Sequence, residues 1–195
     1  MNDLTRRGFI FTGATLGACG LLVGVQHACR FALADGSTTK GTPGPVQIVK
    51  FSDDGKLLGV ETAAKVVKTA ADWRQMLGSD AFDVTRQADT ERPFSGAYYN
   101  NHEPGIYRCV CCGNALFSSD TKFDSGTGWP SFWAPIAKEN ISSRIDLSLG
   151  MRRDEVNCTL CDAHLGHVFD DGPKPTGLRY CMNSLALRFV PLAKS

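Results

Sequence analysis

The chain has 195 residues, 43% of them hydrophobic, and a formal net charge of +1. This length suits one domain with a short appendage, and the apolar content is high enough for a buried core, which argues against extended disorder. Without residues 1–34, 18 basic residues face 19 acidic ones. A nearly neutral domain of this kind argues against non-specific binding to nucleic acid.

Residues 1–34 have the pattern of an export signal. Arg6 and Arg7 form a twin-arginine string, an uncharged apolar run follows over 8–25, and Ala-Leu-Ala at 32–34 offers a cleavage site. We therefore predict a cleaved signal that the twin-arginine translocase carries to a bacterial periplasm. An uncleaved anchor facing the periplasm is the alternative, since about 18 residues just span a bilayer. A lipobox-like string ending at Cys19 lies in the middle of the run rather than at its end.

The rest of the chain reads as a linker followed by one domain. Residues 35–45 are rich in Gly, Pro and Thr and are predicted to be a linker, and residues 46–195 to be the domain. Asp54 and Gly55 form a turn signal between two β runs, which predicts a hairpin over 46–60. Two short helices are predicted, 70–77 capped by Thr69 and 81–86 capped by Ser79.

After Pro93 the chain becomes rich in turns and strands. Short β runs at 105–108, 165–169 and 185–190 are separated by clusters of Gly, Pro, Asn and Asp. The pattern predicts a mainly β domain of antiparallel sheets, with short helices at its N-terminal end.

Four cysteines have the spacing of a metal site. They form two CxxC pairs, Cys109 with Cys112 and Cys158 with Cys161. Two such knuckles supply four thiolates to one tetrahedral Zn²⁺, whose role in a closed site is structural. A disulfide framework and a redox CxxC motif are the alternatives, although no βαβ pattern surrounds either pair. Cys111 is either a small apolar residue inside its knuckle or a spare thiol.

A fifth domain cysteine, Cys181, stands apart from the pairs and has the chemistry of a nucleophile. Two histidines, His164 and His167, and the indole of Trp129 are candidates to share a site with it. From spacing alone the histidines also fit a structural role, and the indole fits a hydrophobic core.

Several strings together give the chain a family resemblance. Gly-Trp-Pro-Ser-Phe at 128–132, His-Leu-Gly-His-Val-Phe at 164–169 and Arg-Tyr-Cys-Met-Asn-Ser at 179–184 resemble the methionine-R-sulfoxide reductase B family. The resemblance extends over about 46–190. It implies two antiparallel sheets, a structural zinc distant from the site, and thioredoxin-dependent reduction of methionine (R)-sulfoxide in proteins. Such an enzyme would repair exported proteins under oxidative stress.

The resemblance also assigns roles to individual residues. The implied catalytic residues are Cys181, His164, His167 and Asn183, and the implied substrate-binding residues are Trp129, Arg179 and Asp171. In the implied chemistry, a thiolate attacks the sulfoxide sulfur and becomes a sulfenic acid. We expect the imidazoles and Arg179 to lower the pKa of Cys181. The imidazoles would protonate the departing oxygen, and Trp129 would contact the methyl group of the substrate.

The chain departs from the family pattern at Thr127, where many members have a resolving cysteine. Three routes for reducing the sulfenic acid remain open: a thioredoxin-like partner, a low-molecular-weight thiol, or Cys111. We expect a monomer.

Two other functions compete with the reductase. A zinc-knuckle module that binds a protein or RNA gives no reason for Cys181 or the histidine pair. A zinc hydrolase or deaminase needs an open metal position and an H-x-E base, which precedes neither CxxC pair.

Overall fold

In the computed structural model of the protein, residues 44–192 are described. The predicted export signal at 1–34 and all but the last two residues of the predicted linker lie outside this range. Within it, no helix combines the length and the apolar character needed to cross a bilayer.

Eleven strands and one α-helix form the framework of residues 44–192. In chain order they are β1 (Val46–Phe51), β2 (Leu57–Ala63), α1 (Ala70–Gln87), β3 (Gly105–Cys109), β4 (Ala115–Ser118), β5 (Lys122–Phe123), β6 (Ser131–Phe132), β7 (Ile141–Asp146), β8 (Arg153–Cys158), β9 (His164–Phe169), β10 (Arg179–Met182) and β11 (Leu187–Pro191).

The strands pair antiparallel throughout, which confirms the predicted mainly β class. They form three sheets rather than two. β1 and β2 are the predicted hairpin, whose turn contains Gly55 at φ +81°. The second sheet has the order β11-β3-β4, and the third has the order β5-β6-β10-β9-β8-β7.

The helix α1 begins with a capping box. The Thr69 hydroxyl accepts a hydrogen bond from the backbone N–H of Asp72, and the Asp72 carboxylate accepts one from the N–H of Thr69. At Gly78 the backbone leaves the helical region (φ +76°, ψ +176°). The two predicted helices are therefore the two halves of α1, which Gly78 separates by a kink. The helix buries Trp73 and Phe82.

One hydrophobic core joins α1 to the two larger sheets. The rings of Phe117 on β4 and Phe132 on β6 are stacked with centroids 4.4 Å apart, and Tyr107 on β3 meets Phe132 edge-on at 5.0 Å. All three side chains are fully buried. Because Phe132 is on the core-facing side of the six-stranded sheet, its neighbour Ser131 is directed to the opposite face.

Candidate active site and metal site

The predicted nucleophile lies in the middle of a row of residues that crosses the six-stranded sheet. Cys181 on β10 is directly opposite Ser131 on β6 and His167 on β9, and His167 is in turn opposite Glu155 on β8. Directly opposed residues of antiparallel strands share a face, with Cβ atoms about 4.5–5.5 Å apart. The sheet therefore brings Cys181 and His167 together, although 13 residues separate them along the chain.

A β-bulge places the second histidine on the same face. His164 is opposite Asn157, whereas the preceding residue of β8 is opposite Gly166, so Leu165 is the extra residue of the bulge. Without it, residues three apart on a strand would face opposite sides. With it, the rings of His164 and His167 meet edge-on, with centroids 5.4 Å apart.

Position 166 requires glycine, because β9 passes very close to the backbone of Cys181 there. A Cβ atom built on Gly166 would lie 2.1 Å from the carbonyl oxygen of Cys181. Any side chain at this position would push β9 away from β10, and with it the histidines away from Cys181.

Burial dominates the ionisation of Cys181, the predicted nucleophile. It raises the pKa of the Cys181 thiol above its ordinary value, and the hydrogen bond with Thr127 and the positive charge of Arg179 offset only part of this effect. The expectation that imidazoles and Arg179 lower this pKa is therefore wrong in its net direction. Thr127 Oγ1 lies 3.8 Å from Cys181 Sγ.

Arg179 lies beside Cys181, and Asp171 holds it there. Its guanidinium donates two hydrogen bonds to the Asp171 carboxylate at 2.8 and 2.7 Å and lies over the ring of Phe169, 4.4 Å from the centroid. Asp171 does not line the cleft at Cys181. Its contact with the site runs through Arg179.

His167 is neutral and oriented by a carboxylate. Its Nε2 lies 2.9 Å from Asp146 Oδ2, which also accepts a hydrogen bond from Arg153 at 2.7 Å. Hydrogen bonds from Ser148 and His167 hold the pKa of the Asp146 carboxyl far below its ordinary value, so Nε2 carries the proton and Nδ1 is left as an acceptor. Burial lowers the pKa of His167, and the bond to Asp146 compensates only in part.

His164 is the more deeply buried of the two histidines, with 3% of its surface exposed. Its Nδ1 donates to Glu155 Oε1 at 2.7 Å, and the same oxygen accepts a hydrogen bond from Asn157. Its Nε2 has no hydrogen-bond partner among the described residues. His164 and His167 both line a cavity of about 520 Å³ next to the cleft at Cys181.

The cleft at Cys181 is lined by both aromatic and polar side chains. Its volume is about 140 Å³, and its lining includes the indole of Trp129, the ring of Phe169, His167 and Arg153. Trp129 is fixed because its Nε1 donates to the carbonyl of Glu91 at 3.1 Å. An apolar group and a polar oxygen can thus both find partners in this cleft.

Asn183 lies at the edge of this cleft, but its amide is engaged with the backbone. Its Oδ1 accepts from the N–H of Glu91 at 3.0 Å, and its Nδ2 donates to the carbonyl of Leu165 at 3.1 Å. The Glu91 carboxylate in turn accepts from the N–H groups of Ser184 and Leu185. These contacts position Trp129 and β9 around Cys181.

The four predicted metal ligands are brought together at another place in the fold. The Sγ atoms of Cys109, Cys112, Cys158 and Cys161 all lie within 4.8 Å of one another. Two of the separations are 3.7 and 3.6 Å. A tetrahedral ion with Zn–S bonds of about 2.3 Å places its sulfurs about 3.8 Å apart, so the thiols fit such an ion.

The two knuckles have the same local geometry. In each, the first cysteine's carbonyl accepts a hydrogen bond from the residue four positions on, Gly113 at 2.8 Å and Asp162 at 2.9 Å. Each of these two turns ends at a residue with positive φ, which is +78° at Gly113 and +56° at Asp162. Cys111, inside the first knuckle, is 6% exposed and belongs to the core cluster, which favours the small apolar residue of the two alternatives that the sequence leaves open.

Comparison with known proteins decides the family. A family model described as the SelR domain matches residues 77–191, more than half of the chain. The chain is 61% identical over 125 residues to the peptide methionine sulfoxide reductase MsrB of Herminiimonas arsenicoxydans, which covers 64% of this chain and 91% of that protein. The MsrB of Pseudomonas fluorescens is 57% identical over 127 residues, covering 65% of this chain and 97% of its own.

The chain belongs to the methionine sulfoxide reductase B family. It is an oxidoreductase, as the sequence predicted. The matched range contains both knuckles and every predicted site residue, whereas the β1–β2 hairpin precedes it.

Sequence reasoning missed three charged residues of this family member's site. Asp146 and Arg153 face each other at the ends of β7 and β8, and Glu155 follows two residues later on the same face. An acid and a base flanking a glycine-containing turn were the available signal for the first two. Glu155 gave no signal, because its contact with His164 depends on the register of β8 and β9.

Proposed function

We propose that this enzyme reduces protein-bound methionine (R)-sulfoxide with Cys181 as the nucleophile. Reduction of methionine sulfoxide follows from the family. The observation that carries the finer proposal is the pairing of Cys181 with neutral His167 in a cleft lined by both aromatic and polar side chains.

Because burial keeps Cys181 protonated, the first step requires a base. The acceptor atom of neutral His167 takes the thiol proton, and the resulting imidazolium is stabilised by the Asp146 carboxylate. The thiolate attacks the sulfoxide sulfur, a bond forms between the two sulfurs, and the sulfoxide oxygen receives the proton from His167. Transfer of the hydroxyl to Cys181 breaks the substrate's S–O bond and the S–S bond, releases methionine and leaves a sulfenic acid on Cys181. The oxygen and the thiol proton thus both end on Cys181.

The walls of the cleft supply the selectivity in this proposal. The methyl group lies against Trp129, where a sulfur–aromatic contact contributes about 0.3–1.5 kcal/mol. The oxygen is directed to the side of His167 and Arg153. With methyl and oxygen assigned to opposite walls, exchanging them in the S epimer would place the oxygen against the indole, where it has no donor.

Asp146→Asn should lower kcat/KM about 10²-fold, since it removes the group that orients His167 and stabilises its protonated form. The rate falls in acid as His167 becomes protonated. The bond to Asp146 raises the pKa of His167, so its loss should move the acid limb of the profile to lower pH. The measurement is kcat/KM against pH. Asp154→Asn is the matched control, because Asp154 is an exposed carboxylate on the opposite face of β8. An equal loss in both variants would refute the role of Asp146.

Reduction of the sulfenic acid is assigned to an external thiol, from a thioredoxin-like partner or a low-molecular-weight compound. Thr127 lies beside Cys181 and cannot form a disulfide. Cys111 belongs to the buried core and to the knuckle between two proposed metal ligands. An incoming thiol attacks the sulfur of the sulfenic acid, forms a mixed disulfide and releases water, and a second thiol then reduces this disulfide.

Thr127→Cys should restore an internal route. Thr127 Oγ1 is 3.8 Å from Cys181 Sγ, so a sulfur placed there has to move by about 2 Å to reach the S–S bond length of about 2.05 Å. After one equivalent of substrate without reductant, intact mass should show two hydrogens lost from the variant. The original protein and Thr127→Ser should each gain one oxygen. Loss of two hydrogens from the original protein would instead identify Cys111 as the resolving thiol.

The four clustered cysteines are proposed to hold one structural Zn²⁺ through Cys109, Cys112, Cys158 and Cys161. When bound, the ion supplies a cross-link and no reaction chemistry, since four thiolates leave no open position. The two knuckles connect β3 to β4 and β8 to β9, so the cross-link joins the two larger sheets.

The cellular setting remains as the sequence predicts it. We propose export by the twin-arginine translocase, a periplasmic monomer, and repair of exported proteins oxidised under stress. An anchor facing the periplasm is the alternative. The twin-arginine string and the apolar run at 8–25 support this proposal.

The proposed activity is tested with the separate R and S epimers of a peptide methionine sulfoxide and dithiothreitol as reductant. We expect residues 35–195 and the full chain to reduce the R epimer only. Reduction of S, or of neither epimer by folded and zinc-loaded protein, would overturn the proposal.

A further inference from the structure

Three hydroxyl groups connect the nucleophile to the backbone of the substrate-binding loop. Cys181 Sγ contacts Thr127 Oγ1 at 3.8 Å, which is 2.8 Å from Ser125 Oγ, which is 2.7 Å from Ser131 Oγ. Ser131 Oγ lies 3.2 Å from the carbonyl oxygen of Trp129. Ser131 is fully buried, and Ser125 and Thr127 are half-buried.

The direction of these hydrogen bonds follows from their end point. A carbonyl oxygen only accepts, so Ser131 donates its single hydroxyl proton to Trp129 and accepts from Ser125. Ser125 has then used its proton and accepts from Thr127. Thr127 in turn has none left for Cys181. With the hydrogen bonds in this direction, the Thr127 hydroxyl accepts the S–H of Cys181, so the arrangement fits the neutral thiol.

The thiolate requires the opposite direction. A thiolate has no proton to donate, so Thr127 must rotate its O–H toward the sulfur. Ser125 then donates to Thr127, and Ser131 turns from the Trp129 carbonyl to Ser125. Each hydroxyl rotates about its C–O bond and the three hydroxyls stay hydrogen-bonded to one another, whereas the bond from Ser131 to the Trp129 carbonyl is exchanged for one from Thr127 to the sulfur. No proton is transferred along the chain.

We propose that Thr127, Ser125 and Ser131 form a reversible hydroxyl chain that stabilises the thiolate of Cys181 during attack. Thr127 contacts the reacting sulfur, a weaker hydrogen bond from Ser131 on the neighbouring strand also reaches it, and Ser125 is a positioning residue. The inference rests on the proposed function only in taking Cys181 as the nucleophile. It gives Thr127 a role of its own, which a resolving cysteine at this position would not have.

Two properties of the site support this role. Burial raises the pKa of Cys181 and so opposes its ionisation, whereas the hydrogen bond with Thr127 lowers this pKa and favours the thiolate. Arg179, the cation next to the sulfur, binds the Asp171 carboxylate through its Nε and Nη2 atoms, so this carboxylate offsets part of its positive charge. The Thr127 hydroxyl is a neutral donor that can rotate toward the sulfur. Its hydrogen bond therefore adds to the stabilisation of the thiolate that the charge of Arg179 supplies.

The test uses Thr127→Val, which keeps the shape of the side chain and removes the hydroxyl, with Thr127→Ser as its matched control. Iodoacetamide alkylation of Cys181 is followed against pH by mass spectrometry of the peptide that contains it. The loss of one hydrogen bond to a charged group should slow alkylation of Thr127→Val about tenfold at pH 7 and move the midpoint of the profile to higher pH. Thr127→Ser should restore both.

Two outcomes would overturn the proposal: an unchanged profile in Thr127→Val, or the same defect in Thr127→Ser, which would assign the effect to the methyl group. If Thr127→Val fails to fold by circular dichroism, Ser125→Ala decides, since it breaks the chain one step away from the sulfur and should shift the profile in the same direction. Because alkylation needs no sulfoxide, these results stand apart from the epimer assay, so failure of the proposed function and failure of the hydroxyl chain are distinguishable.

Discussion

Cys181→Ser should lower the reduction of methionine (R)-sulfoxide by at least about three orders of magnitude. A serine hydroxyl at this position is neither ionised near neutral pH nor a soft nucleophile, so attack on the sulfoxide sulfur is lost. The variant should fold normally, since Cys181 is half-buried and its row on the sheet is otherwise unchanged. The measurement is turnover with dithiothreitol, together with circular dichroism and metal content.

Cys111→Ala is the matched control for this variant. Cys111 is the other thiol of the domain outside the proposed metal ligands, and it packs in the core as a small apolar residue. Its replacement should leave turnover with dithiothreitol intact. If Cys181→Ser retained substantial turnover, or if Cys111→Ala lost it in folded protein, the nucleophile would have to be reassigned.

The fold was predictable where the signal is local. The helix cap at Thr69, the end of the first helical segment at 77 and the turn at Gly55 depend on a few consecutive residues, and the structure has all three at the predicted places. The two CxxC knuckles are local in the same sense. The division of the strands into three sheets depends on which distant strands pair, and the family resemblance implied two.

The structure brings the predicted site residues together, but it adds Asp146, Arg153 and Glu155 to them and sets an arrangement that the sequence did not predict. Nothing in the sequence marks Leu165 as the extra residue of a bulge, yet the bulge places His164 and His167 on one face. The net pKa direction of Cys181 also escaped prediction, because nearby charges can be guessed from sequence whereas the burial that outweighs them is a property of the packed sheet. Thr127 was read as a missing thiol, since its hydroxyl partners are visible only in three dimensions.

The proposed metal cross-link lies apart from the nucleophile but is connected to it through β9. Cys158 ends β8, the second knuckle follows, and His164 begins β9. The knuckle is also tied to the rest of the domain: the carbonyl of Cys161 accepts a hydrogen bond from Arg86 on α1, and the carbonyl of Leu160 accepts one from Val66. Loss of the cross-link should therefore loosen the packing of α1, the turn between β8 and β9 that precedes the bulge at Leu165, and the contact between the two larger sheets.

Cys158→Ser should release the zinc and destabilise the domain by more than about 4 kcal/mol, the range associated with loss of a metal. For a domain of this size the melting temperature should fall by roughly 10 °C or more. The measurements are metal content, thermal unfolding and turnover, with Cys181→Ser as the converse control that keeps zinc and stability but loses activity.

A chelator provides the complementary measurement, because it removes the ion without changing a side chain. If the ion is structural, activity should decay no faster than the circular dichroism signal, since the reaction stops only when β9 loses its place. Activity that disappeared before any unfolding would contradict this, and would place the metal in the reaction rather than in the scaffold.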